Sequence, residues 1–593
     1  MKIIGISGLH NSVLFKKRRF PSLPPQEHRI AQGFDSAAAL VSSRGIEAAA
    51  AEERFVREKG TNTFPVNAIR YCLESARLKP QNVDYLAHGF SYEPVKSSFE
   101  RNDLTRAQYE EIYAPGLQLQ YLETHFPSIE WAKKFVSVPH HIAHAASTFY
   151  LSGFDEALIL ISDGMGEIHS MTALVGNKSK MEIIKQVPAF HSLGLFYGVL
   201  TLYLGFSFGL DEYKVMGLAP YGDSRRYFSR MMDFIHLKDD GTYAIPLFGH
   251  NVSDEDKETL QGVLRVLAET FGPLRSPESE ITQHQMDIAA GLQAVLQSCQ
   301  LHLLRCLKRE TGQTSLCMAG GVALNCTVNG VIKRSRLFKN MFIQPAAGDD
   351  GSALGAALYI QRLNEPERAP AKMTLPLWGP EYDDNTLERM LVHQTEVSHV
   401  YIQGFQELAQ HIAQRLVEGQ IIAWFQGRME FGPRALGNRS ILADPRASDM
   451  RDRINAMVKK RENFRPFAPA VLAEAASEYF AIEKRDSDSY AHMLYVTHVR
   501  PQYRSQLPAI THIDGSARVQ TVDRDHNRRF WTLIEAFGKL TGLPIVLNTS
   551  FNVRGQPIVC TPQEAIDTFL LANLDALVLG NHVLVRKKRL GQP

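Results

Sequence analysis

No stretch of the 593-residue sequence approaches the ~20 consecutive apolar residues that a membrane-spanning helix needs. The first residues, MKIIGISGLHNS, favour a short strand and have none of the features of a signal peptide. Six cysteines are scattered without a CxxC pair, so neither a disulfide framework nor a thiolate metal site is indicated. We therefore expect a cytoplasmic protein without a membrane partner.

Three frequent motifs are also missing. There is no GxxxxGK[ST] loop and no GxGxxG after the first strand, which argues against a P-loop NTPase and a dinucleotide enzyme. The zinc-protease motif HExxH is missing as well, because His141 stands where that motif needs Glu. A net charge of only +2 does not indicate a strongly basic face, so no nucleic-acid partner is expected.

Basic charge is instead concentrated in one segment. Between Arg428 and Arg465, ten Lys or Arg stand against five Asp or Glu, which gives +5, whereas the whole chain carries +2. Glycines and prolines interrupt the arginines, a pattern typical of guanidinium groups held on a tight backbone to bind phosphate oxygens. The alternative is a salt-bridged surface.

The order of elements predicts an α/β protein of two domains. The first ~365 residues alternate strand-like and helix-like segments, and a Pro-rich segment at 364–380 reads as a linker. We therefore place one domain at 1–365 and a second at 366–593. The polar, Pro-rich segment 11–33 predicts a surface insertion close to a ligand rather than a core element.

A pair of histidines one helical turn apart predicts a metal site. His140 and His144 would project from one face of a helix, and Asp163 and Asp349 are expected on turns after strands. A site of two His and two Asp with open positions suits iron(II), manganese or zinc. The alternative is a pair of capping or core histidines without a metal.

Glycine turns after strands predict a nucleotide site. Gly320 and Gly321 follow one strand, and Gly348 precedes a helix of small residues, so backbone amides and a helix N-terminus can approach phosphates. Such a turn is also a common strand-to-helix corner.

The motifs occur in a fixed order along nearly the whole chain: HHIAHAAS, the Asp163-Gly164 strand end, GLDEYKVMGLAPYGD, MAGGVALNCTVNG, PAAGDDGSALGAA, FGPRALGNRS, KKRENFRPFAP, ARVQTV and LNTSFNVRGQPIV. Together they resemble the ATP-dependent O-carbamoyltransferases. The resemblance implies an actin-like, Kae1-type (ASKHA) N-terminal domain and a YrdC-like C-terminal domain. It also implies that carbamoyl phosphate and ATP give carbamoyl-adenylate, from which the carbamoyl group passes to a hydroxyl of a small acceptor.

The resemblance also assigns roles to individual residues. It implies metal ligands at His140, His144, Asp163 and Asp349, and a carbamoyl-phosphate site at Arg434, Lys459, Arg465, Ser550 and Asn552, where Lys459 and Arg465 also act in catalysis. The nucleotide is expected at Gly320, Gly321, Asn325, Gly348 and Asp350, with Arg518 on the ATP side of the carbamoyl-phosphate site.

The acceptor-activating base departs from the pattern of the relatives. They commonly carry His before the Asp of an HDxAAAL element, whereas this chain has Phe34 there. His10, after the first strand, is our first candidate because a pKa near neutrality suits a base, and Asp35 is the second. The alternative is that His10 only hydrogen-bonds a loop.

The expected ligands are ATP as a substrate, a divalent metal with iron(II) preferred over Mn or Zn, and Mg for the nucleotide. The expected partners are carbamoyl phosphate and a hydroxyl-bearing small molecule. The oligomeric state stays open, with a homodimer as one option. Two alternative functions are a threonylcarbamoyl-adenosine-type tRNA-modifying enzyme and a non-catalytic, actin-like nucleotide-binding regulator.

Overall fold

The computed structural model describes residues 1–178, 180–368, 370–458 and 462–587, together with the backbone of Lys459. Within them the chain forms two compact units. The N-terminal unit comprises Met1–Val56 and Gly60–Met373, and the C-terminal unit comprises Arg57–Lys59 and the chain from Thr374 onward. Both units mix helices with sheets, which confirms the α/β class.

The N-terminal unit contains two five-stranded sheets and a short two-stranded one. Its strands are β1 Lys2–Ser7, β2 Ala37–Ser42, β3 Gly45–Ala51, β4 Tyr85–His88, β5 Phe135–Ser137, β6 Ala157–Gly166, β7 His169–Gly176, β8 Met181–Pro188, β9 His236–Leu237, β10 Tyr243–Ala244, β11 Ser315–Ala319 and β12 Asn340–Ile343. The large sheets have the orders β3-β2-β1-β4-β5 and β12-β11-β6-β7-β8. In each, the first strand in the chain lies parallel to a neighbour, β1 to β4 and β6 to β11.

The helices of this unit are α1 Ser12–Arg19, α2 Glu53–Val56, α3 Val66–Ser75, α4 Asp103–Gln108, α5 Pro115–His125, α6 His140–Phe149, α7 Leu193–Tyr203, α8 Glu212–Leu218, α9 Phe228–Met232, α10 Asp254–Thr259, α11 Gln261–Phe271, α12 Gln283–Thr311, α13 Cys326–Ser335 and α14 Asp349–Asn364. None of the helices in the described part of the chain combines the length and apolar character that a bilayer span requires.

Small residues let α14 pack closely on its neighbours. A Cβ on Gly355 would overlap the carbonyl oxygen of Ala143 in α6, and a Cβ on Gly5 of β1 would overlap the carbonyl oxygen of Ala353. Only glycine therefore allows α14 to approach both elements so closely. This packing sets the start of α14 beside the start of α6, where the candidate metal ligands lie.

The C-terminal unit is built on one eight-stranded mixed sheet with the order β13-β22-β21-β14-β15-β20-β16-β19 and a pair β17-β18. The strands are β13 Val397–Tyr401, β14 Ile422–Phe425, β15 Arg439–Ala443, β16 Ala468–Leu472, β17 Val496–His498, β18 Ser516–Arg518, β19 Gln520–Val522, β20 Ile545–Ser550, β21 Ala576–Leu579 and β22 His582–Arg586. The helices are α15 Asp384–Leu391, α16 Phe405–Val417, α17 Met450–Ile454, α18 Ala476–Tyr479, α19 Arg528–Thr541 and α20 Pro562–Leu571. Apolar residues of α16 and α19 form its main core with the sheet, around Trp424.

Segment 11–33 is only partly the irregular surface insertion that its composition predicts, because residues 20–33 form neither helix nor strand. Residues 12–19 form α1, and Phe15 is buried in a cluster with Leu9, Phe90 and Tyr92. The average polarity of the segment hides this single aromatic anchor, which is why composition alone misses the helix.

Candidate functional site

Two imidazoles meet at the start of α6. His140 and His144 are both fully buried, and their Nε2 atoms lie 3.0 Å apart. The four-residue spacing on a helix brings the rings together, as the sequence predicts. Two ring nitrogens at this distance need a proton or a cation between them, because two lone pairs repel.

The tautomer of His140 is set by its surroundings. Its Nδ1 lies 2.8 Å from the carbonyl oxygen of Gly89, which can only accept a hydrogen bond. Nδ1 therefore carries the hydrogen in the neutral ring, and the Nε2 lone pair points to His144 and the carboxylates. A backbone carbonyl in this position is typical of metal-binding histidines.

Two carboxylates complete the group. Oδ2 of Asp163 lies 3.3 Å from His140 Nε2 and 3.9 Å from His144 Nε2. Oδ1 of Asp349 lies 3.4 and 3.7 Å from the same two nitrogens. The other oxygen of Asp163 accepts a hydrogen bond from the amide of Gly321 at 2.9 Å, which fixes the carboxylate.

These spacings fit a metal ion. Four ligand atoms, one from each residue, lie within 4.8 Å of one another. Atoms that each bind an ion at about 2.0–2.2 Å, at angles of 90–109°, lie roughly 2.8–3.6 Å apart. Three of the five distances that involve the histidine nitrogens fall in that range, and the other two, 3.7 and 3.9 Å, lie just above it.

Electrostatics supports a cation at this position. Burial alone would lower the pKa of His140, but the carboxylates of Asp349 and Asp163 outweigh it and raise the pKa well above the usual value. Burial would raise the pKa of Asp163, but His140 and His144 lower it. The four residues thus hold a proton strongly, and a divalent ion can take its place. Nitrogen and oxygen donors in equal number suit iron(II), manganese or zinc.

Neither carboxylate lies on the turn that the sequence predicts. Asp163 belongs to β6, which continues to Gly166 after a register shift, and Asp349 is the first residue of α14. The end of the apolar run at Ser162 marks a loss of apolar character and not the end of the strand. Both side chains nevertheless reach the histidines.

Several predicted nucleotide residues form hydrogen bonds with other groups of the protein. The amide of Gly320 donates to the carbonyl oxygen of Ala347, and that of Gly321 donates to Asp163. The side chain of Asn325 accepts from Val328 at the start of α13. Gly320 and Gly321 therefore lie against the metal ligand Asp163, and Gly348 and Asp350 flank the ligand Asp349 in the sequence.

His10 lies with its Nδ1 3.0 Å from the amide nitrogen of Phe64. That N–H can only donate, so Nδ1 accepts and Nε2 carries the hydrogen in the neutral ring. Burial, and then His125, lower the pKa of His10. In this arrangement the ring presents a donor, which argues against the base role that the sequence suggests. The second candidate, Asp35, has a pKa raised to about 7 by burial and by Glu53.

Many arginines of the basic segment bind backbone oxygens. Arg439 is fully buried, and its guanidinium donates to the carbonyl oxygens of Gln426, Asn438, Pro380 and Gly427. Arg428 donates to two carbonyls, Arg453 to one, and Arg446 forms a bidentate pair with Asp444. Arg439, Arg428 and Arg453 thus bind backbone carbonyls, which charge counts cannot show, whereas the Arg446–Asp444 pair is a salt bridge of the kind that the alternative interpretation predicts.

A network fixes the loop that carries Arg434. Oε1 of Glu430 accepts hydrogen bonds from the amides of Leu436, Asn438 and Arg439 at 2.7, 2.8 and 3.2 Å. Gln520 donates to the carbonyl of Leu436. Glu430 is not among the predicted residues, although it lies two residues before Gly432 of the motif FGPRALGNRS.

Among the remaining predicted carbamoyl-phosphate residues, Ser550 lies beside this loop, opposite Ser440 on the neighbouring strand. Ser550, at the end of β20, donates to the side chain of Asn552 at 2.7 Å. Asn548 on the same strand donates a hydrogen bond to the side chain of Gln520 in β19. Gln520 follows the predicted ATP-side residue Arg518 by two positions. His512 lies 3.1 Å from the carbonyl oxygen of Phe464, which precedes Arg465. The side chain of Lys459 lies outside the described residues.

Two protein families match this chain, one in its N-terminal half and one in its C-terminal half. The carbamoyltransferase N-terminus family matches residues 30–358, and the carbamoyltransferase C-terminus family matches residues 413–587. The nodulation protein NolNO of Sinorhizobium fredii is 40% identical, over 94% of this chain and 80% of its own length. The 3'-hydroxymethylcephem-O-carbamoyltransferase of Streptomyces clavuligerus is 34% identical, over 45% of this chain and 48% of its own.

Among solved structures, full-length HypF in its phosphate- and nucleotide-bound form aligns with 61% of this chain and 56% of its own at 13% identity. The TM-score of 0.31 is too low to support an argument about this chain.

The fold and the site thus define a two-unit α/β enzyme of the transferase class. The chain belongs to the carbamoyltransferase family. The prediction of an O-carbamoyltransferase is confirmed, and tRNA modification is not favoured.

Proposed function

We propose that the chain makes carbamoyl-adenylate from carbamoyl phosphate and ATP and transfers its carbamoyl group to a hydroxyl of a small molecule. We assign the first step to residues 366–593, as a YrdC-like domain, and the second to residues 1–365, as an actin-like, Kae1-type domain. The named relatives support a small-molecule acceptor, because one of them acts on a 3'-hydroxymethylcephem.

The observation that carries the proposal is the group of His140, His144, Asp163 and Asp349. Two neutral imidazoles and two carboxylates would hold a divalent ion, iron(II) in our proposal, with positions left for further oxygen ligands. Such an ion would supply Lewis-acid polarisation of a phosphate or carbonyl oxygen. The buried donors keep competing water away, because both histidines are fully enclosed.

In the first step, water hydrolyses carbamoyl phosphate to carbamate and phosphate, and a carbamate oxygen attacks the α-phosphate of ATP with release of pyrophosphate. Arg434 and Arg465 suit the phosphate because a guanidinium offers a planar fork of donors, and Lys459 adds a point charge. Ser550 and Asn552, already paired, suit the neutral carbamoyl end.

In the second step, the acceptor oxygen attacks the carbamoyl carbon, the bond to the adenylate oxygen breaks, and AMP leaves. The hydroxyl proton must pass to a base. We assign that role to Asp35, because its raised pKa makes the carboxylate a competent base near neutral pH. His10 then acts as a hydrogen-bond donor through Nε2.

The test is mass spectrometry of a panel of hydroxyl-bearing small molecules incubated with the protein, ATP and carbamoyl phosphate. We expect a gain of one carbamoyl group that depends on both substrates. Arg465→Ala should lose it, whereas Arg451→Ala, which changes a partly exposed arginine of the same basic segment, should keep it. Carbamoylation without ATP would contradict the proposal.

A further inference from the structure

A glutamate that the sequence analysis did not select lies beside the candidate metal centre. Glu167 occupies the turn between β6 and β7, four residues after Asp163. Its φ of 45° lies in the left-handed region. That conformation costs energy for glutamate but not for glycine. A side chain with a specific function is a frequent reason for such a residue to persist in that conformation.

One carboxylate oxygen of Glu167 joins two segments. Oε1 accepts a hydrogen bond from the amide of Ser91 at 2.8 Å and from the amide of His140 at 2.9 Å. His140 is the first residue of α6, and Pro139 before it has no polar side chain to cap the helix. A carboxylate from another hairpin therefore supplies the cap, where the helix dipole favours negative charge.

The same two segments hold the His140 ring. Its backbone starts α6, and its Nδ1 donates to the carbonyl of Gly89, two residues before Ser91. Glu167 thus holds the start of α6 and the segment that carries the Gly89 carbonyl in a fixed position relative to each other. Asp163 lies on the hairpin that carries Glu167. The hydrogen bond from the His140 amide to Glu167 therefore also links the two metal ligands His140 and Asp163.

We propose that Glu167 is a positioning residue that holds His140 in register with Asp163 for metal binding. The proposal rests on the metal centre of the proposed function. Without the Glu167 carboxylate, α6 and the loop at Gly89 should move independently of each other. Metal binding should then weaken by about 10- to 100-fold, which is the usual effect of removing a residue that positions a metal ligand.

The left-handed conformation provides a test that separates positioning from stability. Glu167→Gly and Glu167→Ala both remove the carboxylate and leave two amides without their acceptor, but only glycine relieves the backbone, so the thermal midpoint should fall less in Glu167→Gly than in Glu167→Ala. Glu167→Gln keeps an acceptor oxygen and should retain metal affinity within a few-fold. Ile168→Ala changes the exposed neighbour in the same turn and serves as the control.

The measurement is the dissociation constant of manganese(II) from the full chain by competition with a chelator, together with thermal unfolding without metal. We expect Glu167→Gly and Glu167→Ala to lose the same factor in affinity, about 10- to 100-fold, despite their different thermal midpoints, and transfer to slow while pyrophosphate release persists. Wild-type affinity in Glu167→Gly would overturn the proposal, as would a loss of affinity that only parallels a loss of stability. A wild-type chain whose manganese affinity equals that of Asp163→Asn would overturn the metal centre itself, and this proposal with it.

Discussion

Replacing Asp163 by Asn tests the metal centre with little change in shape. The amide oxygen of Asn can still accept the Gly321 N–H, which Asp163 accepts at 2.9 Å. The NH2 group then replaces the oxygen that lies 3.3 Å from His140 Nε2. That group donates a hydrogen bond and cannot bind a cation, so the variant should fold and fail to bind metal.

The magnitude follows from the number of donors. Structural zinc sites with four ligands bind with about 10–16 kcal/mol, so one ligand contributes roughly 2.5–4 kcal/mol on average. Loss of one of the four donors should therefore weaken metal binding by about 10²- to 10³-fold. The removal of one buried negative charge adds to this effect.

The assay combines a manganese(II) titration against a chelator with the two half-reactions. In Asp163→Asn we expect weaker metal binding, loss of carbamoyl transfer and normal pyrophosphate release. Asp155→Asn is the matched control, because Asp155 precedes the same strand, is exposed and pairs only with Lys178 among the ion pairs of the described residues. Wild-type affinity and transfer in Asp163→Asn would refute the assignment.

Three further predictions concern the C-terminal unit. Arg465→Ala should slow pyrophosphate release by about 10- to 150-fold, from a lost charge-assisted hydrogen bond of roughly 1.5–3 kcal/mol, and normal release would count against a role for Arg465. Glu430→Ala should lower the free energy of unfolding by about 3 kcal/mol or more in urea, because three amides lose their acceptor, whereas Glu430→Gln should lose less. Burial lowers the pKa of His492 to about 4, so the unfolded state binds the proton first as the pH falls. Stability should therefore decrease between pH 6.5 and pH 4, by up to about 3 kcal/mol from this group, and urea titrations of His492→Gln that show the same decrease would exclude it as the cause.

The four candidate metal ligands could be chosen from the sequence alone. The spacing of His140 and His144 is a local property of a helix, and the family motifs point to Asp163 and Asp349. The α/β class also follows from local patterns, because strand-like and helix-like segments alternate along the chain. What the sequence could not show is the end of β6, because an irregular strand continues through residues that resemble a turn.

The supporting residues were harder to predict. Glu167 and Glu430 act through backbone amides of other segments, and such partners depend on tertiary packing. His10 has a suitable pKa in isolation, but its Nδ1 already accepts a hydrogen bond from Phe64. The arginines of the basic segment look alike in the sequence, whereas in the structure Arg439 binds backbone carbonyls and Arg465 pairs with Glu462 at 3.6 Å.

The central claim is that carbamoyl-adenylate made with the C-terminal residues is consumed at the metal centre. The most direct measurement supplies pre-formed carbamoyl-adenylate and an acceptor to Arg465→Ala and to Asp163→Asn, and follows AMP release and carbamoylated product in a single turnover. The account predicts that Arg465→Ala recovers the transfer rate of the wild type and that Asp163→Asn does not. Recovery in Asp163→Asn, or none in a folded Arg465→Ala, would contradict it.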